Sequence, residues 1–356
     1  MKRIVTALTL AALLVPAVPS FAQLGRLRGI ADKAAKAVDD LTFTDDEEET
    51  LGADISAKLR EKYGVVQSQP VHKYVTLVGS VLAAESSRPN LKWTFIVLDT
   101  DGVNAFAAPG GFIHITRGAL ALIENEAQLA DVLAHEIGHV TEKHTVNAIK
   151  KNKAVSLGAE ATRNDVLKEA ANRAYEMLLE NAYDRNDEKD ADKVGVTIAN
   201  KAGWAPTQLP AFLTKLSDRN KDLKERSGIF ASHPETEDRI KTMNSLIQKD
   251  HLGATALVAA RFDAAIDFPV VPVSSVQQVA PPSASSSSSS SSGGGTTGLS
   301  RLTGLGRERS SNQSVSSAGS RGLNPDRDAK GGPNKNAVTV RVTSAEVAAF
   351  RKGITG

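Results

Sequence analysis

The chain has 356 residues, no cysteine and a formal charge of only +2, from 43 Lys and Arg against 41 Asp and Glu. So balanced a charge gives no ground for nucleic-acid binding, and the missing cysteines exclude disulfides, thiolate metal ligands and a cysteine nucleophile together. Hydrophobic residues make up 41%, enough for one or two domains with a sizeable core. The charge is uneven: residues 280–356 hold ten Lys and Arg against four Asp and Glu, so the tail is basic and the remainder mildly acidic.

In chain order, residues 1–22 read as a secretory signal. Lys2 and Arg3 precede an apolar run over 4–18, and Ser20-Phe21-Ala22 gives a small-x-small cleavage site before Gln23. The run is short of the roughly 20 apolar residues of a spanning helix and contains Pro16. No other stretch approaches that length, so the mature protein is expected to be exported, periplasmic or secreted, without a transmembrane segment. Residues 23–43 form a mixed N-terminal segment with room for a short amphipathic helix. Thr44 and Glu47 then make a capping box ahead of a helix that stops at Gly64. A second helix is predicted over 71–84 and a strand over 91–98, which is rich in β-branched and aromatic residues. Two short strands, 103–108 and 112–116, flank Pro109-Gly110-Gly111 as a hairpin.

Gly118 opens a short helix ending near Glu124. Asn125, with Gln128 as reciprocal partner, caps the next helix, whose apolar stripe is Leu129, Val132, Leu133, Ile137 and Val140. A long helical pattern runs from Asn164 to Ala202 and closes at Gly203, with Pro206 beyond. Another helix follows from Thr207, and a last one from Pro234. Residues 251–336 are rich in Pro, Ser and Gly and are expected to be a largely disordered linker. Residues 337–342 alternate like a strand, and Ser344 is placed to cap a short helix to Lys352. The basic tail is suited to contact with an anionic envelope surface.

The helix after Asn125 carries His135-Glu136-Ile137-Gly138-His139. The 3.6-residue repeat puts both imidazoles on one face, one turn apart, where they can grip a zinc ion with Glu136 beside a water on it. Two histidines leave the tetrahedron incomplete. A metzincin would need glycine at 142 and histidine at 145; Glu142 and Thr145 stand there, which excludes that class. His144 misses by one position and is expected at the surface near the helix end, where its charge suits the dipole. Downstream, Glu188 and Asp192 share a helix face, and small Ala191 beside them permits close packing. Glu188 is a candidate third ligand and Asp192 a candidate support for a ligand imidazole. A solvated charged helix is the competing account of this ionic segment.

Together, Asn104-Ala105-Phe106-Ala107 with Pro109-Gly110-Gly111, the H-E-x-x-H motif, Glu188-x-x-Ala191-Asp192, and His233-Pro234 with Arg239 resemble the gluzincin zinc metallopeptidases related to HtpX and the CAAX prenyl endopeptidases. The likeness is to their soluble exported bacterial branch and spans about residues 44–249. It implies an α+β, mostly helical domain over 44–250 with a small antiparallel sheet beside the H-E-x-x-H helix. It also implies one zinc per chain on His135, His139 and Glu188, Glu136 as general base toward a zinc-bound water, and Asp192 behind a ligand. The strand at Asn104, Ala105 and Phe106 would pair an extended substrate. His233 would stabilise the oxyanion or take zinc's open position, and Arg239 would anchor the site or bind a substrate carbonyl. Asp190 and Asp184 depart from the usual family residues without touching the inferred ligands. The expected function is hydrolysis of peptide bonds in exported or misfolded envelope proteins; the alternative is a chaperone-like interaction protein on the same fold. The lack of transmembrane helices argues against prenylated or membrane-buried substrates.

Overall fold

The computed structural model describes residues 42–151, 162–180, 183–220, 233, 236–272 and 340–355. The expected signal segment, Pro234 and most of the Ser/Gly-rich tail lie outside the described residues. Helix α1 (Asp45–Tyr63) starts on the expected box: the Glu47 amide donates to Thr44 Oγ1 at 3.3 Å, and the Thr44 amide donates to Glu47 Oε2 at 3.0 Å. It stops at Gly64, whose φ of 73° suits a residue without Cβ. Helix α2 (Gln69–Ala84) leads into strand β1 (Thr94–Leu98), and β2 (Ala105–Ala108) and β3 (Phe112–Thr116) form the hairpin about Pro109–Gly111. A Cβ on Gly110 would lie 2.5 Å from the Glu49 Cα, so the turn seats directly on the α1 backbone.

The sheet order is β1-β3-β2, with β2 antiparallel and β1 parallel to β3. The sheet is therefore mixed, where an antiparallel one was expected. The hairpin itself is antiparallel, but residues 99–104 carry the chain across the end of β3, which then lies between β1 and β2. The outer side of β1 is covered by the segment after α1, through Val66 N–H to Val97 O at 3.0 Å and Asp99 N–H to Gly64 O at 3.1 Å. Strand β2 is the other edge.

Helix α3 (Arg117–Leu122) is followed by α4 (Glu126–Thr141), the H-E-x-x-H helix, which is buried along its whole length. Asn125 Oδ1 accepts from the Gln128 amide, but Gln128 Oε1 turns to the Glu124 amide instead of closing on Asn125, both at 2.9 Å. Helices α5 (His144–Lys151), α6 (Arg163–Glu180) and α7 (Arg185–Ala202) follow. The expected single helix over 164–202 is thus two. Asp184 caps the second, accepting from the Asn186 and Asp187 amides at 2.9 and 3.0 Å, and this side-chain cap overrides the continuous periodicity. Helices α8 (Gln208–Asn220), α9 (Thr236–Lys249), α10 (Ala259–Ala265) and α11 (Ser344–Thr355) complete the order.

Small residues set the spacing of α4 and α7. A Cβ on Gly138 would lie 2.9 Å from the Ala191 Cα, and one on Gly195 would lie 3.1 Å from the His135 nitrogen. Glu126, the first residue of α4, is buried and accepts from Tyr74 Oη (2.8 Å), Trp204 Nε1 (2.9 Å) and Arg261 Nε (2.6 Å). Arg261 in turn sits 3.9 Å over the Phe350 ring and donates to the Phe350 carbonyl at 3.0 Å. Helices α10 and α11 therefore pack on the domain, with Phe262 and Ile354 buried in the core. Residues 251–272, expected at the start of the linker, belong to this folded body because Phe262 and Ile266 supply apolar surface that the composition of the region hides. Residues 340–343 form no strand, and the cap of α11 is Thr343, which exchanges hydrogen bonds with Glu346. Among the described residues, no helix is long and apolar enough to cross a membrane.

Candidate metal centre

The close approach of α4 and α7 brings Glu188 under the two histidines of α4. His135 and His139 are buried with their Nε2 atoms 3.1 Å apart. Glu188 Oε2 lies 3.6 Å from His135 Nε2, and its Oε1 lies 3.5 Å from His139 Nε2. His233 enters from the segment before α9, with Nδ1 2.8 Å from Glu188 Oε1 and 3.3 Å from His135 Nε2. One donor atom from each of His135, His139, Glu188 and His233 lies within 4.8 Å of the other three. Imidazole lone pairs turned toward one another in a buried site need a cation or shared protons between them. A set of imidazole and carboxylate donors without sulfur fits a divalent metal of zinc's kind.

A layer of charge supports this cluster. Asp192 Oδ1 is 3.0 Å from His135 Nδ1. Arg239, 4% exposed, donates to both Asp192 oxygens at 2.9 and 2.7 Å, and its Nη1 lies 2.8 Å from Glu188 Oε2. Burial pushes the Asp192 carboxyl up, but the Arg239 guanidinium and the His135 ring outweigh it and hold the group well below the usual carboxylate range. Glu188 is likewise held low, burial being outweighed by His233 and Arg239. Glu136 behaves in the opposite way. It is 0% exposed, neither carboxylate oxygen has a hydrogen-bond partner among the described residues, and His233 Nε2 lies 3.6 Å from its Oε1. Burial raises its pKa against the opposing fields of His233 and His135.

Two residues at the centre escaped sequence reasoning. His144, expected at the surface, is 3% exposed, with Nδ1 3.0 Å from His139 Nδ1 and Nε2 3.8 Å from Asp187 Oδ1. The physical reason is a break after α4: Lys143 adopts φ 58°, so the face that α4 would present at position 144 is not the one realised. Tyr183 stacks on His139, ring centroids 3.9 Å apart and planes at 26°. Its hydroxyl is 2.9 Å from Thr145 Oγ1 and each of the two lies 3.3 Å from the Ala107 carbonyl, so with one hydroxyl donating to the other, one hydrogen remains for that carbonyl. The sequence signal for Tyr183 is its place just before the Asp184 cap.

Strand β2 runs beside this cluster. The Asn104 carbonyl accepts from the Thr116 amide of β3 at 3.0 Å, so by antiparallel alternation the backbone of Phe106 also faces β3, while Ala105 and Ala107 face away. Of the expected substrate-strand residues, Ala105 alone turns its backbone outward. Its amide is capped by Asn104 Oδ1 at 2.9 Å. His72 and His114 are buried away from the centre, bonded to the Val66 carbonyl and Ser56 Oγ, both at 2.9 Å.

Residues 71–247 match the family model "Peptidase family M48". The beta-barrel assembly-enhancing protease of Yersinia pestis is 25% identical over 56% of this chain and 43% of its own length. The protein of that name from Escherichia coli K12 is 26% identical over the same shares. The mitochondrial metalloendopeptidase OMA1 of Arabidopsis thaliana is 27% identical over 45% of this chain and 33% of its own. The chain thus spans less than half the length of each of these relatives. With two histidines, a glutamate and a buried carboxylate without hydrogen bonds among the described residues assembled across the matched segment, residues 71–247 form a domain of peptidase family M48.

Proposed function

We propose that this protein is a zinc-dependent endopeptidase, with His135, His139 and Glu188 as ligands to one zinc per chain and Glu136 as general base. The observation that carries this reading is the convergence of those three donors beside the buried carboxylate of Glu136, which has no hydrogen bond among the described residues. Zinc bound there supplies Lewis acidity and lowers the pKa of water to about 7. Glu136 takes a proton from the attacking water and returns it to the leaving amine. Its burial and lack of hydrogen-bond donors keep the carboxylate basic enough for that shuttle. Asp192 orients His135, and Arg239 neutralises Asp192 and Glu188 together, which favours an anchoring role for Arg239 over contact with a substrate carbonyl.

His233 stands as a fourth donor, its Nδ1 against Glu188. This supports the reading in which His233 would hold the metal together with His135, His139 and Glu188. An extended polypeptide laid along β2 would pair with the backbone of Ala105 and Ala107 by displacing Asn104 Oδ1 and the Thr145 and Tyr183 hydroxyls that satisfy it here. The signal-like residues 1–22 and the names of the relatives support exported envelope polypeptides as substrates, in the periplasm or outside the cell. The basic tail adds an attraction to anionic envelope surfaces.

The test is cleavage of an unfolded polypeptide such as casein by the purified chain, before and after 1,10-phenanthroline. Loss of cleavage with chelator and its return on adding zinc is the expected result. Cleavage that persists in the chelated protein overturns the reading.

A further inference from the structure

We propose that His144 is a positioning residue, which fixes the tautomer and ring plane of His139 through an imidazole–imidazole hydrogen bond. The inference rests on the reading of His139 as a metal ligand and extends it to a residue outside the ligand set. His139 turns Nε2 toward the centre, 3.1 Å from His135 Nε2 and 3.5 Å from Glu188 Oε1. Its other nitrogen, Nδ1, lies 3.0 Å from His144 Nδ1. Two ring nitrogens at that distance need one hydrogen between them, and a neutral imidazole carries one hydrogen in all. Ligation through Nε2 leaves that hydrogen on Nδ1, so His139 is the donor and His144 the acceptor.

The tautomer of His144 follows. With Nδ1 accepting, its hydrogen sits on Nε2, the atom that faces Asp187 Oδ1 at 3.8 Å. The direction of the chain is therefore consistent from end to end: the Asp187 carboxylate attracts the Nε2–H of His144, and His144 Nδ1 receives the Nδ1–H of His139. The ring of His144 stands at 74° to that of His139, and Tyr183 covers the face of His139, so the ligand ring is held both at its edge and over its face. The two histidines of α4 thus have different supports. His135 leans on the carboxylate of Asp192, and His139 leans on a neutral ring. Outer partners of this kind set ligand orientation and basicity. A residue that merely filled space would be replaceable by an apolar side chain; an acceptor is not.

Three full-length proteins separate these accounts: wild type, His144→Leu, which fills the volume without an acceptor, and His144→Asn, whose Oδ1 takes the place of Nδ1. Zinc affinity is measured by competition with a chromophoric chelator. The expected loss is about 10–100-fold for His144→Leu, with His144→Asn within about threefold of wild type. In parallel, nitrogen-15 NMR of the zinc-loaded wild type reads the imidazole protons directly. The expected pattern is Nδ1–H on His139 and Nε2–H on His144. Unchanged affinity in a folded His144→Leu, or an Nδ1–H on His144, overturns the proposal. If His144→Leu does not fold, the NMR pattern decides. A wild type that binds no zinc overturns the metal-centre reading itself, a result distinct from equal binding by wild type and His144→Leu.

Discussion

Gly138→Ala tests whether the spacing of α4 and α7 builds the centre. The new Cβ would lie 2.9 Å from both the Cα and the carbonyl oxygen of Ala191, which are backbone atoms that cannot swing aside. Carbon atoms sit comfortably at about 3.5–4.0 Å, so the two helices must part by roughly 0.6–1 Å. Overpacking of this kind costs about 1–3 kcal/mol, while replacing a helical glycine by alanine returns up to about 1 kcal/mol, leaving a net loss of about 0–2 kcal/mol. The effect on the centre is larger than the effect on the fold. Glu188 lies three residues from Ala191 on α7 and moves with it, whereas metal–ligand distances tolerate only about 0.2 Å. Zinc affinity should therefore fall by about tenfold or more, by analogy with the loss of an outer support. Gly195→Ala is the graded control: its Cβ would meet the His135 nitrogen at 3.1 Å, and the loss should be smaller. Chelator competition and thermal unfolding measure both variants. Wild-type affinity together with a wild-type unfolding temperature in Gly138→Ala would show that the spacing of α4 and α7 does not build the centre.

Further predictions concern proton, substrate and tail. The pKa of Glu136 is raised above 4.5 in the fold, so its ionised form opposes folding at neutral pH and the penalty fades as pH falls through the ordinary carboxylate range. Glu136→Gln should raise the unfolding temperature of the chelated protein at pH 8 and lose that gain near pH 4; no gain at pH 8 contradicts the assignment. The double variant Thr145→Val, Tyr183→Phe removes both hydroxyls that face the Ala107 carbonyl. Releasing one hydrogen bond of about 1 kcal/mol should lower KM by up to about fivefold with kcat nearly unchanged, and a raised KM in steady-state kinetics would count against pairing at Ala107. Ending the chain before α11 removes Phe350 from Arg261 and Ile354 from the core, so stability should fall by about 2–4 kcal/mol in denaturant titration. An unchanged midpoint would show that α11 contributes nothing to the domain.

The parts of this structure visible in the sequence are those set by local chemistry. The Thr44–Glu47 box, the Gly64 stop and the Pro109-Gly110-Gly111 hairpin each depend on residues within a few positions of one another, and all three form. The facing of His135 and His139 was legible for a related reason, their fixed spacing on one helix; Glu188 joined them through the family resemblance, and it comes within reach because Gly138 and Ala191 are small enough to let the two helices touch. What the sequence concealed depends on where the backbone departs from regular geometry or on distant partners. The positive φ of Lys143 turned His144 inward, and the Asp184 cap split one periodic run into two helices. Parallel pairing of β1 with β3 comes from a crossover of residues 99–104, which no local pattern specifies. The packing of α10 and α11 hangs on Arg261 meeting Glu126 and Phe350, contacts 135 and 89 residues apart in sequence.

Glu136 is proposed as base beside a zinc held by His135, His139 and Glu188. Metal content and casein cleavage, measured on the same preparations of wild type and Glu136→Gln, test it most directly. About one zinc per chain is expected in both proteins, with cleavage confined to the wild type, because Glu136 is proposed to move the proton and not to ligate the metal. A wild type without zinc, or cleavage that survives Glu136→Gln, would contradict it.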